Sequence, residues 1–186
     1  MKRRRIFIAI NLPEDIKKKL AGYKERWPEL PIKWTRLNNI HITLAFLGYI
    51  ADEELINICS AVKEVASKHS SFSVNLFKIC YGPLRFRSGQ APRMVWAIGE
   101  KSEEFASLKE DLDKSLAISE KRQFSSHITL GRIRKWEWQR IEPEERSSVD
   151  EEIDLNFSVD SIELMESVLK RGGPEYTILE SYNLKT

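Results

Sequence analysis

The tetrapeptide His-Ile-Thr-Leu occurs twice, at residues 41–44 and 127–130, and the two copies hold two of the chain's three histidines. With ordinary residue frequencies, three residues after a histidine match a given template with a probability on the order of 10⁻⁴. The repetition therefore has a cause, and its β-branched residues mark it as strand. Side chains on a strand alternate, so His41 and Thr43 share one face while Ile42 and Leu44 enter the core from the other. His127 and Thr129 repeat this against Ile128 and Leu130. A chain built this way needs two strand-bearing halves whose polar faces can meet.

Strand and helix alternate around each copy. Residues 5–10 read as a strand, and Pro13 opens a helix with Ile16, Leu20, Tyr23 and Trp27 at helical spacing. Residues 40–47 form a strand ending at Gly48, after which Asp52 caps a helix carrying Leu55, Ile58, Cys59, Val62, Val65 and Ala66 on one face. Residues 72–81 and 94–98 read as strands around a basic loop, 82–93, with Arg85, Phe86 and Arg87: a candidate substrate flap. Ser102 caps a helix carrying Phe105, Leu108, Leu112 and Leu116, and residues 126–133 bring back the strand motif. Residues 135–150 form an exposed connection in which Trp136 and Trp138 mark a packed part. Residues 158–169 and 175–184 make a closing hairpin, with alternation at Tyr176, Ile178, Glu180 and Tyr182. The reading is a pseudo-symmetric α+β fold in which only the motifs retain internal likeness.

A 41% hydrophobic content over 186 residues is enough for one core. Thirty Lys+Arg against 28 Asp+Glu leave a net charge of +2, which excludes a duplex-coating protein and makes any nucleic-acid affinity a matter of local charge. The longest apolar run, residues 6–10, is too short for a membrane span or a signal segment, so the chain reads as cytoplasmic with no membrane partner. Cys59 and Cys80 read as small core residues. His69, near a helix end, reads as a surface residue with no assigned role.

A histidine with a threonine hydroxyl two residues on offers a proton-transfer group beside a neutral hydrogen-bond donor. Two such units across a cleft suit a phosphodiester. In-line displacement needs a base on the attacking oxygen, an acid on the departing one, and donors on the non-bridging oxygens. Histidine serves either proton role near neutral pH. Neither motif has a second ligand at metal spacing, so the expectation is chemistry without metal or cofactor.

With these residues in place, the sequence resembles the two-histidine phosphoesterases, and among them the RNA 2',3'-cyclic phosphodiesterases historically called 2'-5' RNA ligases. The likeness spans nearly the whole chain. It includes residues 5–10 with Leu12-Pro13, Trp34, residues 41–48, residues 93–96, residues 124–132 and the closing Gly172-Gly173-Pro174 with Tyr176. Ser126 departs from it, standing where many members have proline. The resemblance implies a single bilobal unit over residues 1–186, each lobe an antiparallel sheet carrying one motif, with the active site in the cleft between them. It implies His41 as proton donor, His127 as proton acceptor, and Thr43 and Thr129 as phosphate-oxygen ligands. It implies as partner an RNA with a 2',3'-cyclic phosphate end, transfer-RNA fragments among the candidates, and no obligate protein partner. Hydrolysis to a 2'-phosphomonoester is the expected reaction, with 2'-5' ligation as a by-product. The rival readings are a phosphodiesterase for another small cyclic nucleotide and a non-catalytic RNA-binding module.

For contacts to the substrate's phosphates, Arg132 and Arg93 are the candidate guanidinium groups. Strict alternation puts Arg132 on the face opposite His127, unless the strand ends or bulges at Gly131. The same parity sends Phe46 inward with Ile42 and Leu44 as a core residue.

Overall fold

The computed structural model describes residues 3–83, 91–119 and 126–186. Nine described strands and four α-helices follow in the order β1 (Arg3–Asn11), α1 (Glu14–Gly22), β2 (Ile32–Trp34), β3 (His41–Ala51), α2 (Asp52–Ala66), β4 (Phe72–Gly82), β5 (Met94–Gly99), α3 (Glu103–Ser115), β6 (His127–Ile133), α4 (Lys135–Trp138), β7 (Asp150–Val159), β8 (Ser161–Lys170) and β9 (Gly173–Asn183). Arg85, Phe86 and Arg87 of the expected flap lie outside the described residues.

The sheet is antiparallel throughout its named strands, in the order β7-β4-β5-β6-β3-β1-β8-β9, with β2 added beside β6. It divides into two four-stranded halves. In each, a strand, a helix and a return strand (β1-α1-β3 and β5-α3-β6) deliver a motif strand to the inner edge. The inner strands pair with each other at one position, Ile42 opposite Ile128. Both isoleucines are buried, and one hydrophobic cluster behind them takes in Ile16 and Leu20 of α1, Val62 and Val65 of α2, and Leu108 and Leu112 of α3. The helices therefore cover one face and leave the motif face open.

Local chemistry explains the helix starts. Ser102 caps α3 as its sequence position predicts, its hydroxyl accepting from the Phe105 amide at 3.1 Å. Asp52 does not cap α2: it is the first helical residue and pairs with Arg4 at 2.7 Å, while the Glu54 carboxylate accepts from the Ala51 amide. Three strand readings also change. β3 runs past Gly48 to Ala51, β2 is a further short strand, and β7 starts at Asp150, well before the expected closing hairpin. Within 135–150, Trp138 is buried and Trp136 exposed.

Candidate active site

Each motif strand carries the same irregularity. β1 pairs Ala9 with Thr43 and then Ile8 with Ala45; β5 pairs Trp96 with Thr129 and then Val95 with Gly131. Leu44 and Leu130 are the extra residues, one in each motif and at the same place. A bulge resets parity, and both leucines and the residues after them are buried. Arg132 then pairs with Met94, which shares a β5 face with Trp96, so Arg132 lies on the face of His127 and Thr129. Its Nη1 stands 3.8 Å from the Met94 sulfur.

The bulge at Leu44 overturns the reading of Phe46. Phe46 pairs with Phe7 on the face that carries Ala9 and Thr43, and it is 67% exposed, where an inward core residue was expected. Phe46 and Arg132 both stand five residues after their histidine, so they are equivalent positions in the two halves. Lys33, opposite Arg132 on β2, adds a second cation to this face. Arg93 lies just before β5 with its side chain exposed, and alternation from Met94 aims it away from the motif face.

His41, Thr43, His127 and Thr129 are all half-buried. The Ile42–Ile128 pairing sets His41 across from Thr129 and Thr43 across from His127, so the two histidines are diagonal neighbours, about 7–8 Å apart at their backbones. The His41 Nδ1 lies 2.7 Å from the Asn39 carbonyl oxygen. A carbonyl only accepts, so Nδ1 carries a proton and Nε2 is the nitrogen available for transfer, 2.9 Å from the Thr43 hydroxyl. Asn39 is anchored in turn, its side-chain amide donating to the Pro174 carbonyl at 2.8 Å. Arg36 donates to the Gly172 carbonyl, and Gly173, at φ +121, takes a backbone conformation that a side chain would strain. The Gly-Gly-Pro turn thus steadies the first histidine from a distance.

The His41 ring also meets Phe7 and Tyr176, both with centroids 5.2 Å away, Tyr176 at a right angle. Burial is the main reason its pKa lies below the usual histidine value. The nearby charges of Lys17 and His127 push the same way, while the Asn39 carbonyl opposes them. Lys17 is itself buried, donating to the Asn11 side chain at 2.6 Å. Asn11 pairs with His41 across the strands, and its amide donates to buried Glu163.

His127 lies against the Trp96 indole, centroids 3.9 Å apart and planes 28° from parallel. Ser126 enters the strand buried, its hydroxyl donating to the Gly99 carbonyl at 3.2 Å; this is how a residue other than proline secures the path into His127. Sequence reasoning gave roles to neither Trp96, Phe7, Lys17 nor Asn39. Trp96 and Tyr176 were visible as strand residues and as parts of the resemblance, without a role at the site. His69 is largely buried and pairs with Asp111 at 3.0 Å, linking the end of α2 to α3, and is not the surface residue expected. Among the described residues no group of three His, Cys, Asp or Glu could hold a metal ion. No helix of the described residues is long and apolar enough to cross a membrane.

Two antiparallel half-sheets, helix-backed and presenting a His-x-Thr unit from each inner strand to one face, match the architecture that the resemblance to two-histidine phosphoesterases implies. Comparisons agree on the class and narrow it. A LigT-like phosphoesterase family model matches residues 10–96. The RNA 2',3'-cyclic phosphodiesterase of Methanocaldococcus jannaschii is 27% identical over 96% of this chain and 99% of its own, and that of Archaeoglobus fulgidus 29% identical over 96% and 99%. A crystal structure of TT0787 from Thermus thermophilus superposes with a TM-score of 0.82 at 28% identity, covering 97% of this chain and 98% of that one. The chain is similar to the LigT-like phosphoesterases along nearly its whole length, and the family model itself matches just under half of it.

Proposed function

We propose that this phosphoesterase hydrolyses RNA 2',3'-cyclic phosphate ends to 2'-phosphomonoesters, with His41 as acid and His127 as base. The observation that carries the reading is the pairing of the two His-x-Thr units through Ile42 and Ile128, which turns two proton-transfer groups and two hydroxyls toward one small anion. His127 takes a proton from water, the water oxygen bonds to phosphorus, the bond from phosphorus to the 3'-oxygen breaks, and protonated His41 supplies that oxygen's proton. Thr43 and Thr129 donate to the non-bridging oxygens. No step of this scheme calls on a metal. An RNA 5'-hydroxyl in place of water gives a 2'-5' linkage, the ligation by-product.

Arg132 and Lys33 supply local positive charge for the RNA backbone, and exposed Phe46 supplies a face for a base. Arg93 is the weaker candidate. The substrate class matches the names of the relatives above, and transfer-RNA fragments in the cytoplasm are a fitting source.

The test is turnover of an oligonucleotide with a 2',3'-cyclic end, beside His41→Ala, His127→Ala and the double variant. Each single change is expected to lower kcat by about 10²–10⁴, with the double little worse, because acid and base act as a unit. Phosphorus NMR of the product should show a 2'-phosphate. A 3'-phosphate would overturn the donor and acceptor assignment. Turnover of a cyclic mononucleotide but not of the oligonucleotide would favour the small-nucleotide reading.

A further inference from the structure

Trp96 is 9% exposed, and its ring is sandwiched. One face lies on His127 at 3.9 Å between centroids. The other faces Gly82: a Cβ built there would come within 2.3, 2.6 and 2.7 Å of Cδ2, Cε2 and Cε3. Those atoms surround a ring-fusion carbon, which no in-plane approach can reach first, so Gly82 lies against the face of the indole. Gly82 pairs with Met94 on β5, two residues before Trp96. A glycine at 82 therefore leaves the room that lets the indole lie against the histidine.

We propose that Trp96 is a positioning residue for His127: backed by Gly82, its indole holds the imidazole in its working orientation and stabilises the positive charge that appears on it during proton transfer. This deepens the reading given above and rests on it. The physical basis is the negative face of the indole, which attracts a cation most strongly where water is excluded. In the proposed reaction His127 becomes an imidazolium as it takes the water's proton, so the interaction strengthens in the transition state and raises kcat rather than affinity.

The two histidines are then treated differently by their surroundings. His41 is buried and has the charge of Lys17 nearby, and these make its imidazolium readier to give up a proton. His127 has an aromatic face. Among the described residues, the charged groups on its side of the sheet include His41 on β3, Lys33 on β2, Arg132 on β6, Lys78 on β4, Asp150 and Glu152 on β7, Arg5 on β1 and Glu163 on β8, with Lys17 of α1 beside His41. Within β5 the residues on this face, Met94, Trp96 and Ile98, carry no charge. Substituting Trp96 leaves all of the charges in place, so it isolates the ring.

The experiment compares the full chain with Trp96→Leu, Trp96→Phe and Gly82→Ala. Histidine ring NMR without substrate should show the His127 titration midpoint falling by about half to one pH unit in Trp96→Leu and recovering largely in Trp96→Phe. On the cyclic-end oligonucleotide, Trp96→Leu should lower kcat roughly 3- to 30-fold with KM within about twofold, and Trp96→Phe should restore most of the loss. Gly82→Ala pushes the ring from its far face and should lower kcat in the same way, giving an independent reading should Trp96→Leu fail to fold. An unchanged His127 midpoint in Trp96→Leu, a phenylalanine variant no better than leucine, or unchanged kcat in Gly82→Ala overturns the proposal. If the unaltered protein does not turn over RNA cyclic ends, the functional reading fails, while the NMR titration still decides whether Trp96 acts on His127.

Discussion

His41 is held by a backbone carbonyl, a hydroxyl and two aromatic rings, and each constraint bears on what it can do with a proton. The Asn39 carbonyl fixes which nitrogen faces the substrate, whereas burial and Lys17 disfavour charge on the ring. A pKa below the ordinary 6.5 leaves His41, before substrate binds, short of the proton that it must deliver if it is the acid proposed above. A bound anion reverses this, because a negative charge beside an imidazole favours its protonated form. Anion binding and proton uptake are therefore linked at His41. Sulfate, which does not titrate in this range, should bind more tightly as pH falls from about 8 toward about 6. Calorimetry in buffers of different ionisation enthalpy should detect proton uptake near neutral pH, and His41→Gln should reduce it. Equal uptake by the variant and the unaltered protein would place the linked proton elsewhere.

At the scale of single strands, the shared bulge decides what the motif face presents. The tetrapeptide and its alternation were legible in the sequence and correctly aim His41, Thr43, His127 and Thr129 away from buried Ile42 and Ile128. What alternation alone cannot register is one extra residue, and here that residue, Leu44 or Leu130, reverses the assignments that follow it, in β3 as far as a second shift at Leu47. Phe46 was misread for this reason, and Arg132 was left dependent on a bulge that the structure contains. β7 was missed although Ile153, Leu155, Phe157 and Val159 alternate through it, since the acidic stretch at its start looks like connection. The contacts to Trp96, Tyr176 and the Gly-Gly-Pro turn join residues far apart in the chain, which no local pattern encodes. The equivalence of Phe46 and Arg132 has a kinetic consequence. Phe46→Ala should raise KM for the oligonucleotide by about 5- to 50-fold through lost stacking, and Arg132→Ala by about 5- to 30-fold, both with small effects on kcat. Arg132→Lys should restore only part, because a point charge lacks the guanidinium's fork. Unchanged KM in both alanine variants would show that the substrate does not use this face beyond the motifs.

Over the whole molecule, the inner strands of the two four-stranded halves pair with each other at one residue pair, with β2 and Thr35 bonding to β6 beside it, so the spacing of the two His-x-Thr units depends on little direct pairing between the motif strands. What holds the halves in place is the shared core behind the sheet, where Ile42 and Ile128 stand among side chains from α1, α2 and α3. Ile128 is fully buried and flanked in sequence by His127 and Thr129, so its packing serves stability and site geometry at once. Ile128→Ala removes buried methyl groups and leaves a cavity, at a cost of about 2–5 kcal/mol. For a chain of this length that corresponds to a fall in Tm of about 4–20 °C. A cavity at the junction also loosens the distance between the proposed acid and base, and misplacement of such groups by about an ångström can cost on the order of 100-fold in rate. Ile128→Ala should therefore lose kcat at a temperature where circular dichroism still shows it folded. Ile162→Ala removes an equally buried isoleucine, one on β8 away from the junction, and should lose comparable Tm with kcat nearly unchanged. If both variants lose kcat alike, the effect belongs to general stability and the junction has no special part in setting the site.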